Sequence, residues 1–170
     1  MSVAFTKEGD SEASAADLPD RPISPHPNLV TAEGLAAIDA ALVEARAAFS
    51  AARVAGDVEA DRTAMARATR DLRYWSARRA SAQLMERDPG LSVVQFGDTV
   101  EIEREDGRRQ TWRIVGEDEA DPKQGSVSYI SPLAQALLGK AVGDLASVNG
   151  AEVEIVGLSS HPRWEETGTA

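Results

Sequence analysis

The chain contains no cysteine, which excludes disulfides and thiolate metal sites. Aromatic residues make up only 5% of its 170 residues. The 42% apolar content leans instead on alanine, crowded between Ala32 and Ala82, a composition that favours helix more than bulk burial. No apolar run approaches the roughly 20 residues that span a bilayer. No basic region followed by an apolar stretch opens the sequence, so no signal peptide is visible and a cytoplasmic protein is expected. Basic residues are outnumbered, 18 against 28 acids, for a net charge of −10. That balance argues against chain-wide attraction to nucleic acid or an anionic membrane. Histidine is scarce too: His26 and His161 each precede a proline in a predicted tail, where no fixed shell supports a general base or a metal ligand. GxSxG, P-loop and GxGxxG patterns are all missing, so an autonomous enzyme is not expected.

What is present divides the chain in four. Residues 1–30 read as a disordered arm, acidic and rich in Ser and Ala at first, then interrupted by Pro19, Pro22, Pro25 and Pro27. Residues 31–87 read as a helical hairpin. Thr31 offers an N-cap with Glu33 in the first turn. Leu35, Ile38, Leu42, Ala45, Phe49 and Ala52 follow at steps of three and four, the rhythm of a coiled-coil seam. Gly56-Asp57 breaks it, and Met65, Ala68, Leu72 and Trp75 resume it. Two helices of similar length joined by so short a bend, near residues 56–61, must pack antiparallel.

From residue 91 to 158 the period changes to that of strands. Val93–Phe96, Thr99–Glu103, Thr111–Val115, Gly125–Ile130, Leu145–Val148 and Val153–Val156 are the candidates, with hairpin turns at Asp106-Gly107 and Asn149-Gly150. Ser131 as N-cap, Pro132 at the first helical position and Gly139 as a stop define one short helix. Residues 159–170 read as a flexible tail. The fold class predicted is α+β: a long antiparallel helical hairpin followed by an antiparallel sheet with one short helix.

Asp57, Glu59 and Asp61 lie within five positions at the bend. Carboxylates at an exposed tip suit a hard divalent cation, which takes one or two of them plus water. Acids at the start of a helix also simply favour its dipole, and both accounts stand on the sequence alone. Arg67, Arg70 and Arg73 share adjacent faces of the second helix, as RNA-phosphate contacts or as a solvated face.

Val100-Glu101-Ile102-Glu103, the Asp106-Gly107 turn, Trp112-Arg113-Ile114-Val115-Gly116 with Glu117-Asp118-Glu119, and the Ser131–Asp144 segment resemble the globular domain of the Gre family of bacterial transcription elongation factors. As architecture, the resemblance covers residues 31–158. It implies a coiled coil followed by an FKBP-like domain, and a cytoplasmic, monomeric accessory factor rather than an enzyme. Such a factor binds RNA polymerase through its secondary channel and stimulates the polymerase's own cleavage of backtracked RNA. The tip acids Asp57, Glu59 and Asp61 then complete the polymerase site. Asp57 helps hold Mg²⁺ shared with that site; no cofactor is held stably by the factor alone. Ser131, Pro132, Gln135 and Lys140 are the implied polymerase-binding residues, with Pro132, Gln135 and Lys140 the more exposed. Arg67 and Arg70 are implied to lie near the RNA 3′ end. The family's second tip acid falls on Ala60 and its aromatic on Ala64. Those departures favour an alternative, a secondary-channel regulator or inhibitor that does not stimulate cleavage; a plain protein-interaction module that kept the fold is the third expectation.

Overall fold

The computed structural model describes residues 18–55 and 59–160. The chain divides into two compact units, residues 1–27 with 37–81, and residues 28–36 with 82–170.

The first unit is the hairpin. Helix α1 spans Ala32–Ala55 and helix α2 spans Glu59–Ser81. The second helix stops short of the Met85 at which its periodicity fades. Of the expected seam, Ile38, Leu42, Ala45 and Ala68 are buried, while Phe49, Ala52, Met65, Leu72 and Trp75 are half-buried. An ion pair between Asp39 near the start of α1 and Arg79 near the end of α2 fixes the antiparallel sense. Towards the bend the facing side chains are nearly all alanine. Ala48, Ala51, Ala52, Ala55 and Ala64 line an open groove between the helices, because methyl groups fill too little of the space there.

Residues 18–27 differ from the expected disordered arm. They lie against α2 at Asp20 and Arg21, with Arg21 stacked on Tyr74 and Asp20 paired to Arg73. Residues 1–17, the remainder of that arm, lie outside the described residues.

The second unit is built on a five-stranded sheet. Strands β3 (Thr99–Arg104), β4 (Arg109–Val115), β5 (Ser126–Ser128), β6 (Leu145–Val148) and β7 (Ala151–Ser159) take the order β5-β4-β3-β7-β6. Four of them pair antiparallel, as the sequence pattern predicts. β5 instead joins β4 in parallel, because the crossover through a short 3₁₀ turn at Pro122–Gln124 brings the chain back in the same direction. The sheet is therefore mixed. Helix α3 (Pro132–Leu137) follows β5 and packs on one face. Between them, sheet and helix enclose Val94, Val100, Ile102, Ile114, Val127, Ala134, Leu137, Ala146, Val153 and Ile155. At Asn149-Gly150 both residues take positive φ, 51° and 82°, the geometry of a tight two-residue hairpin turn.

Two expected features differ. Val93–Phe96 makes only an isolated bridge, Val93 to Ala141, rather than a strand. Residues 28–30, expected in the arm, belong to this unit: β1 (Leu29–Val30) pairs in parallel with β2 (Gln83–Leu84). Gly116 lies so close to the Leu29 carbonyl oxygen that a Cβ would collide with backbone, which is why glycine follows β4.

Candidate functional site

Two places carry the residues singled out from the sequence. The first is the bend. Asp57 lies outside the described residues, as do Gly56 and Val58. Glu59 opens α2, and Ala60 and Asp61 follow on helical backbone. Positions 59 and 61 are about 200° apart around the helix axis. Further along α2, Arg67 is exposed on the wall of the alanine groove. Arg70 is half-buried, with its Nε donating to the Asp71 carboxylate at 3.3 Å.

The second place is the α3 segment. The Ser131 hydroxyl oxygen accepts from the Ala134 amide at 3.2 Å, and Pro132 occupies the first turn. Ser131 therefore acts as the expected N-cap. Pro132 and Gln135 are exposed and Lys140 is half-buried, less open than expected. The Gln135 side-chain amide donates to the Tyr129 carbonyl at 2.7 Å, tying helix to preceding turn. Tyr129 packs edge-on against Phe96, with ring centroids 5.8 Å apart. Beyond α3, Gly139 donates to Val94 and Val94 to the Lys140 carbonyl, at 2.9 and 2.8 Å. The Asp144 carboxylate accepts from the Ala141 amide at 2.8 Å. Val142 and Leu145 project into solvent beside these fixed turns.

Sequence reasoning missed two polar clusters that brace the second unit. In one, the Arg113 guanidinium reaches Glu33 at 3.1 Å and Glu119 at 3.4 Å. Thr31 donates to Glu119 at 2.6 Å and accepts from the Gly34 amide at 2.9 Å. Thr31 is thus N-cap and bridge at once. Its capping was legible, but its partner 88 positions away was not. Hydrogen bonds from the helix-start backbone, with Arg113 beside it, hold the Glu33 carboxyl below its ordinary range. In the other cluster, the buried Asp98 carboxylate accepts from Arg87 and from the Gln95 amide, each at 2.9 Å. Burial nevertheless pushes its pKa up, against the pull of those donors.

An antiparallel helical hairpin in series with a small mixed-sheet domain defines the architectural class. Residues 89–159 match the family model described as transcription elongation factor, GreA/GreB, C-terminal. A transcription elongation factor GreA from Desulfovibrio desulfuricans is 41% identical over 110 residues, covering 61% of this chain and 66% of that protein. A GreA from Methylococcus capsulatus is 46% identical over 90 residues, covering 48% of this chain and 56% of that one. Among solved structures, GreA factor homolog 1 of Thermus thermophilus aligns at 23% identity over 79% of this chain and 99% of its own, with a TM-score of 0.37, too loose an overlay to add to the fold description. Residues 89–159 are thus a C-terminal domain of the Gre family type. It spans about half to two thirds of the length of the two relatives described.

Proposed function

We propose that this chain is a transcription elongation factor that binds RNA polymerase through its secondary channel and stimulates the polymerase's own cleavage of backtracked RNA. The observation that carries this reading is an antiparallel hairpin whose bend bears Asp57, Glu59 and Asp61, in series with the domain that matches residues 89–159. In it the protein is a cytoplasmic, monomeric accessory factor and the polymerase is the enzyme. Ser131, Pro132, Gln135 and Lys140 contribute to the polymerase-binding rim.

The donor set at the bend fits Mg²⁺ in type, since carboxylate oxygens are its preferred protein ligands. Positions 59 and 61 lie about 200° apart around α2, so a single ion would take one of the two, and Asp57 is the proposed second carboxylate. When shared with the polymerase site, the ion supplies an activated water. Asp57 and that other acid would hold the ion. Arg67 and Arg70 lie about 12 and 16 Å along the helix from Glu59, within reach of RNA phosphates near the site.

The test is RNA shortening in a stalled, backtracked elongation complex at fixed Mg²⁺. Acceleration by the wild-type chain, lost in Asp57→Asn with polymerase affinity unchanged, is the expected outcome. Equal cleavage by mutant and wild type removes Asp57 from the mechanism. A second reading, a channel-bound regulator without cleavage, is favoured by Ala60 and Ala64 at the family's second acid and aromatic positions. It predicts polymerase binding with no acceleration.

A further inference from the structure

We propose that Leu18–Pro27 is a releasable strap, and that the face of α2 beneath it takes single-stranded nucleic acid once the strap lifts. Two neighbouring strap residues make every contact in the argument. The Asp20 carboxylate accepts from Arg73 at 3.2 Å. The Arg21 guanidinium lies 3.7 Å from the centroid of the Tyr74 ring and 5.2 Å from that of Trp75, and 3.7 Å from the Asp71 carboxylate. No residue from Leu18 to Pro27 is fully buried, and the apolar contact is slight: Leu18 is half-buried and Ile23, beside Tyr74 and Ala77, is exposed. Both partners of the Asp20–Arg73 pair are about two-thirds exposed, where salt screens such pairs effectively. Four prolines within nine residues keep the strap extended and leave it few amide donors, so it cannot zip onto a neighbour.

The chemistry of what it covers is specific. A carboxylate sits on an arginine, and one residue later a flat, delocalised cation stacks on an aromatic ring. A phosphate fits the Arg73 fork as a carboxylate does, and a base has the same flat shape as the guanidinium over Tyr74. The strap thus imitates, with one acid and one arginine, a short piece of single-stranded chain. With Arg70, itself paired to Asp71, beside Arg73, the uncovered face carries two arginines, one carboxylate and the Tyr74 ring. The proposal rests on the reading of the α2 arginines as RNA-proximal and adds a control on them.

The full chain carrying Asp20→Asn and Arg21→Gln together tests it, because that pair of changes leaves the net charge unaltered. Two measurements are needed: the NMR shifts of the Tyr74 and Trp75 rings, and fluorescence anisotropy with a labelled ten-nucleotide oligouridylate at low salt. The rings are expected to shift in the variant, and in the wild type as salt is raised. Oligouridylate should bind the variant about five- to thirtyfold more tightly, from the loss of one exposed ion pair and one cation–π contact. Adding Arg73→Gln should erase that gain. Unmoved rings would overturn the strap itself. Shifted rings without tighter binding, or a gain that survives Arg73→Gln, would overturn the nucleic-acid face. Cleavage of backtracked RNA is scored separately, so failure of the strap is distinguishable from failure of the proposed function.

Discussion

Among the described residues, the buried apolar residues of the hairpin are Ile38, Leu42, Ala45 and Ala68, two of them alanines; the sheet unit has twelve, dominated by Val and Ile. The contrast teaches how differently the two parts are specified. An alanine-rich helix is favoured residue by residue through its backbone, and asks little of packing. The sheet has no such local support, since each strand gains most from cross-strand neighbours and a shared core. Damage should therefore spread through the sheet unit but stay local in the hairpin.

The largest effect should come from Ile114→Ala, which removes a fully buried side chain on β4, between β5 and β3. A loss of about 2–5 kcal/mol is expected, read as a lower denaturant midpoint and faster amide exchange across β3, β4 and β7. Exchange confined to β4 would break the comparison. Next, Ala52→Leu places three more carbons at the alanine groove. Partial burial of those carbons should stabilise the hairpin by about 1 kcal/mol, seen as slower exchange in α1 and α2 with the sheet amides unchanged. Destabilisation would mean that the groove is already as full as its backbone allows. The smallest effect concerns pH. The Glu33 carboxyl is depressed in the folded state, so its stabilisation is present above its unfolded value and lost as pH falls through its folded one. Glu33→Gln should therefore flatten the acid limb of the stability curve by about 0.5 kcal/mol or less, given the exposure of that carboxylate. Asp98 has the opposite sign: its pKa is raised, so its contribution is full below its unfolded value and lost as pH rises through its folded one. A steeper acid limb in Glu33→Gln would contradict the assignment.

Legibility followed the same divide between local and distant causes. Both helices, the Asp106-Gly107 and Asn149-Gly150 turns and the capped α3 are written in contiguous residues, and each appears where its signals sit. β1 and β2 are two residues each, too short for any period to register. The parallel seat of β5 depends on a crossover, which strand propensity does not encode. Arg21 reads as a tail residue until Tyr74 and Trp75, more than fifty positions later, give it a surface to lie on. At the site, the residue types of the bend and the capping of α3 were legible. The half-burial of Lys140 was not, because it follows from the bridge between Val94 and the turn after α3.

The short parallel pairing of Leu29–Val30 with Gln83–Leu84 joins the segment that leads into α1 to the segment that leaves α2. Two of its bonds, Gln83 to the Asn28 carbonyl and Met85 to the Val30 carbonyl, close a loop containing the whole of both helices. In polymer terms, the entropy of closing such a loop grows only logarithmically with its length. Matched additions to both helices are therefore thermodynamically cheap: one heptad in each would lengthen the hairpin by about 10 Å while leaving the closing bonds in register. The fold therefore tolerates a change in hairpin length with no change in the residues that close the loop.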